Sequence, residues 1–87
     1  RIPAAFCGIV GLKATHGRIS LFGVTPLAWS LDHIGPMTRT VKDAALMLQT
    51  LAGYDAHDLV SNNTPVADYT AKLTRDLKGL RLGVPKQ

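Results

Sequence analysis

Apolar positions along the chain follow two patterns. In the first forty residues the apolar runs are short and are cut by Gly8, Gly11, Gly17, Gly23 and Gly35. Ile9-Val10-Gly11-Leu12 has the pattern of a buried strand, and Ile19 to Phe22 with Val24 that of a second extended piece. Asp32 to Thr38 alternates loosely. Its Gly35-Pro36 pair is costly inside a helix, which predicts extended chain. The period then changes. Val41, Ala44, Ala45, Leu48, Leu51 and Ala52 recur at i, i+3, i+4, i+7, i+10 and i+11, one face of an α-helix. Thr40 followed by Asp43 gives a capping-box-like start, and Gly53 stands where a left-handed residue ends many helices.

A polar loop over 54–63 leads to Thr64-Pro65, a cap with proline at the first helical position. Val66, Tyr69 and Leu73 then predict a second helix to about Asp76. Leu80, Leu82 and Val84 alternate with Arg81 and Gly83 and stop at Pro85, which predicts a strand. Extended pieces, two helices and a strand imply part of an α/β layered fold. The last strand needs sheet neighbours that the chain does not supply. A natural N-terminus is usually polar and frayed, whereas Arg1 runs straight into Pro3 and an apolar stretch. The expectation is one partial domain over 1–87, a piece of a larger protein.

Composition narrows the class. With 46% apolar and 18% charged residues the chain is globular and not disordered. A net charge of +4 permits anionic partners without selecting one. The single cysteine excludes an internal disulfide framework and fits a reducing, cytoplasmic setting. No apolar run approaches the ~18–20 residues that span a bilayer, and no signal peptide is evident, so no membrane partner is expected.

Read without reference to any relative, the candidate chemistry is sparse. Cys7, His16, His33 and His57 are soft ligands without CxxC or HxxxH spacing, so no metal is expected. Cys7, His33 and Asp32 have the residue types of a nucleophile, a base and its orienter. In its apolar run, however, Cys7 reads as a buried structural thiol. Gly8-Ile9-Val10-Gly11 lacks the third glycine of a dinucleotide fingerprint and the Gly-Lys-Ser/Thr of a P-loop, so no cofactor is expected. Lys72, Arg75, Lys78 and Arg81 recur every three residues without interleaved aromatics, the pattern of a solvated face and not of a nucleic-acid surface. Arg1 and Asp32 both stand in turn-rich apolar surroundings. If buried, such a carboxylate needs a partner, and an arginine can engage one bidentately; spacing alone leaves exposure equally open.

The opening stretch RIPAAFCGIVGLKATHGRIS resembles the amidase signature family just after its nucleophile. Arg1-Ile2-Pro3-Ala4 matches the Arg-x-Pro-small tail of the family's glycine-rich loop. Cys7-Gly8, Gly11, Lys13, Thr15, Gly17-Arg18 and Ser20 match its next block, with Ala14 in place of the usual proline and His16 where an aromatic is common. Ser30 to Val41 with Asp43-Ala44-Ala45 looks like the second strong block, and Leu77 to Pro85 like the strand that follows. The resemblance implies a mixed β-sheet between α-helical layers and hydrolysis of a carboxamide to a carboxylate and ammonia through an acyl-enzyme. It places the Ser–cis-Ser–Lys triad and the oxyanion hole before Arg1, so no catalytic residue is expected within the chain and the 87 residues are expected to be inactive alone. Lys13, on the wrong side of the nucleophile, is not the catalytic lysine. Arg1 and Asp32 are implied as supports of the nucleophile loop. The partners implied are a small carboxamide substrate and the remainder of the domain, with a homodimer compatible and no direct nucleic-acid contact. Trp29 to His33 look more like a stand-alone amidase. The alternative is the ammonia-supplying A subunit of a glutamyl-tRNA amidotransferase, a branch of the same family. From another class, a non-catalytic packing or interaction module also fits.

Overall fold

The computed structural model describes every residue except 72, 74, 75 and 87. Its elements are α1 (Ile2–Phe6), β1 (Val10–Gly11), β2 (Met37–Thr38) and α2 (Val41–Leu51). Helix and sheet pack in one unit. β1 and β2 run antiparallel with Val10 opposite Thr38 and Gly11 opposite Met37. The Leu12 N–H extends the ladder to the Pro36 carbonyl at 3.0 Å.

α1 is too short to show a period, and the sequence pattern missed it. Pro3 sits in its first turn, where a missing N–H costs nothing. Gly8, at φ +65°, ends it. There the Ile9 N–H bonds the Ala4 carbonyl and the Gly8 N–H the Ala5 carbonyl, the double closure of a Schellman cap. Ala4, 1% exposed, lies directly over β1: a Cβ at Gly11 would come 2.5 Å from the Ala4 Cβ. Glycine at 11 is therefore what lets helix and strand touch.

α2 forms where the periodicity predicts. The Thr40 hydroxyl accepts the Asp43 N–H at 3.1 Å and donates to the Asp43 carboxylate at 2.7 Å. Its buried face is narrower than the stripe in the sequence. Ala44, Ala45 and Leu48 are buried, while Val41 and Leu51 are exposed, because the two-residue strands cover only the middle of the helix. Gly53 does not form a left-handed end. Ala52 leaves the helix extended and bridges Ile19, and the Gly53 N–H goes to the Arg18 carbonyl. Pairing with residues 18 and 19 sets the exit direction.

Two expected elements are corrected. Described residues from 64 to 76 form no helix; 72, 74 and 75 lie outside the described residues. The Thr64 and Pro65 carbonyls, which would start the helical ladder, instead receive the Arg18 guanidinium. The Asp68 carboxylate takes the Thr70 and Ala71 N–H groups, a local turn that competes with a helix. Described residues 80–84 form no strand: Leu80, Leu82 and Val84 are exposed, and the Leu80 N–H closes a turn onto the Leu77 carbonyl at 3.0 Å instead of joining a ladder. A strand exists only through a partner.

Candidate functional site

The densest polar construction is a comb of consecutive residues, 17 to 21, that fastens the segment 53–69. The Gly17 carbonyl accepts the Asn62 N–H at 2.8 Å. Arg18, only 8% exposed, donates from Nε to the Tyr69 hydroxyl at 2.8 Å, from Nη2 to the Pro65 carbonyl at 2.7 Å, and from Nη1 to the Thr64 carbonyl. Ile19 bridges Ala52. The Ser20 hydroxyl donates to Asp55 at 2.6 Å, and the Leu21 N–H to Asp58 at 2.8 Å. Gly17 is required at its place: φ is +74°, and a Cβ would strike the Val60 carbonyl. No ion pair is recorded for Arg18 among the described residues; carbonyl and hydroxyl dipoles hold its charge.

Ser20, Asp55 and His57 have the composition of a hydrolytic triad but the wrong connectivity. The His57 Nδ1–H donates to Asp55 at 3.0 Å and has no recorded bond to Ser20. The serine proton points at a carboxylate held down at about 2 by the Ser20 hydroxyl, then by the His57 N–H and ring. A base that weak cannot take a hydroxyl proton near neutral pH. The trio is a staple. Cys7 is corrected from a buried thiol to an exposed one: it is the C-cap of α1, where the chain turns outward. His16 and His33 meet edge to face with ring centroids 5.0 Å apart, but no three His, Cys, Asp or Glu side chains gather as a metal-ligand set among the described residues.

Arg1 and Asp32, the two supports implied by the resemblance, lie on different clefts. Arg1 begins α1 and lines a cleft of about 310 Å³ with Lys13 and His33. Asp32 lines another, of about 340 Å³, with Trp29 and Asp58, and its carboxylate accepts the Leu27 and Ala28 N–H groups. Asp32 thus closes its own loop, and no bond joins it to Arg1 among those recorded. The sequence pattern marks Arg18 as no more than one motif position among several. The available signal was an arginine between a glycine and an isoleucine, but its partners lie 46–51 residues away.

Comparison with known proteins adds what geometry cannot. A family model described as Amidase matches residues 1–87. The A subunits of several bacterial glutamyl-tRNA(Gln) amidotransferases are similar along the whole chain. That of Geobacillus kaustophilus is 58% identical over 87 residues, and those of Akkermansia muciniphila and Syntrophobacter fumaroxidans are 56% identical. In each case the match covers 100% of this chain and 18% of the relative.

Proposed function

The chain belongs to the Amidase family, and from that membership we propose that it is a segment of an ammonia-releasing hydrolase, the A subunit of a glutamyl-tRNA(Gln) amidotransferase. One observation carries the choice within the family: identity of 56–58% along all 87 residues to proteins of that name. The likeness of Trp29 to His33 to stand-alone amidases favours the other branch, but it rests on five residues. The alternative from the sequence therefore becomes the first reading.

In this reading the serines and the lysine of the triad lie in polypeptide preceding Arg1. The lysine, kept neutral, takes a proton through the second serine, and the nucleophile attacks the carboxamide of glutamine. Ammonia leaves, and water releases the acid. A lysine serves as base only where burial or nearby positive charge lowers its pKa. With the triad in that preceding polypeptide, the 87 residues on this reading are inactive alone. Their part is support. A loop that presents oxyanion donors must be rigid, because donors stabilise a transition state only when preorganised. The capped α1, seated on Gly11, gives Arg1 a fixed base from which to hold that loop. Asp32 supports it from the other cleft through the turn at Leu27 and Ala28. The wider mixed sheet between helical layers, the further subunits and a cytoplasmic setting belong to the same proposal.

Ammonia release by the full-length protein tests it. Glutamine is expected to be used in preference to simple aliphatic and aromatic carboxamides. Faster release from the simple amides would restore the stand-alone amidase. Arg1→Ala in that protein should lower kcat at least tenfold with little change in KM, and an unchanged kcat would remove Arg1 from the account.

A further inference from the structure

The cleft beside Asp32 joins two kinds of chemistry. Phe22, Trp29 and Leu59 stand exposed along it. Asp32, Asp58 and His57 line it as well; the His57 ring lies against Phe22 with centroids 5.0 Å apart and its Nδ1 is turned to Asp55, and no lysine or arginine lines the cleft. The hydrogen bonds recorded for both carboxylates come from backbone N–H groups. Among the described residues no basic side chain pairs with either carboxylate, and both stand beside apolar walls. A long cationic side chain matches such a recess: its alkyl stem and charge suit the aromatic faces, and its head suits the carboxylates.

The amount of uncovered surface indicates where the occupant comes from. The accessible surface is 7437 Å², against about 5,000 Å² for a compact monomer of this mass. The radius of gyration is 14.9 Å, against about 12 Å for a compact domain of this length. The excess of about 2,500 Å² is roughly three times what a standard interface takes from one partner. Nor does it lie on one face. Val41, Leu46 and Met47 on α2 and Leu82 and Val84 near the C-terminal end are exposed too. A docked subunit covers one patch, whereas covering several takes polypeptide that wraps.

We infer that this cleft receives a lysine- or arginine-bearing segment, flanked by apolar residues, from the same polypeptide outside residues 1–87. The inference rests on the proposed reading of the chain as part of a larger catalytic domain. The test places the photo-crosslinker p-benzoylphenylalanine at Leu59 of the full-length protein, irradiates it, and maps the products by mass spectrometry. The expected product is a cross-link within one polypeptide, to a peptide outside these 87 residues that carries lysine or arginine beside apolar residues. Its yield should fall at least threefold when that basic residue is changed to glutamine. A cross-link to another subunit, to a second copy or to a peptide without a basic residue would overturn the inference. So would a yield no higher than that of the same probe at exposed Asn63. Ammonia release from glutamine, measured before irradiation, keeps the two readings apart. Its absence counts against the glutaminase assignment, while the cross-link map still decides the cleft.

Discussion

Arg18→Ala tests the comb at its strongest tooth. Three hydrogen bonds from a charged donor contribute about 1.5–3 kcal/mol each, which sets a ceiling of about 5–9 kcal/mol for their loss. Two effects reduce it. Removing the guanidinium also removes the cost of holding a cation at 8% exposure, several kcal/mol. The Thr64 and Pro65 carbonyls can also rewet, since their residues are exposed. The net loss is about 2–4 kcal/mol, and it is local to the segment 53–69. Amide hydrogen exchange in the full-length protein reads it directly. The Asn62 N–H, bonded to the Gly17 carbonyl, should lose protection by about 30- to 1,000-fold, at a factor of ten per about 1.4 kcal/mol. The amides of Ala45 and Leu48, inside α2, should change by less than tenfold. Arg18→Lys keeps the charge but not the fork, and should fall between wild type and Arg18→Ala. Unchanged protection at Asn62 in Arg18→Ala would refute the reasoning, because the guanidinium would then not hold the segment.

Further outcomes follow from the same geometry. Gly17→Ala should cost about 2–4 kcal/mol, read as a lowered denaturation midpoint, since alanine resists positive φ and its Cβ meets the Val60 carbonyl. Thr40→Ala should cost about 1 kcal/mol through the lost cap, read as faster exchange of the Asp43 N–H. Asp55, lowered from 3.8 to about 2 by the Ser20 hydroxyl and then by His57, stabilises the fold fully above its ordinary value; the contribution is lost as pH falls from there through about 2. Its carboxyl carbon should titrate by NMR near 2 in the wild type and higher in Ser20→Ala, and an unmoved midpoint would remove Ser20 as the main cause.

What the sequence made legible was local. Thr40, Asp43 and the alanine–leucine stripe lie within four turns of one another, so capping and periodicity found α2 and its start. α1 escaped because five residues carry no period. The second helix failed for a tertiary reason: Arg18, 46 and 47 residues away, captures the carbonyls that would have begun it. The strand at 80–84 has the right alternation and no partner among the described residues. The site divided in the same way. Motif spacing led to the family, and through it to Arg1 and Asp32. It could not reveal that they lie on separate clefts, nor that Arg18 holds the two halves of the chain together. Those relations are made by contacts that no window of neighbouring residues contains.

The central claim is that these residues support a catalytic centre carried by other parts of the same protein. The direct measurement is the intact mass of the natural protein beside its ammonia release from glutamine. A mass well above 9.3 kDa together with release is the expected result. Release from a species of 9.3 kDa would contradict it, because the catalytic groups would then have to lie within the chain.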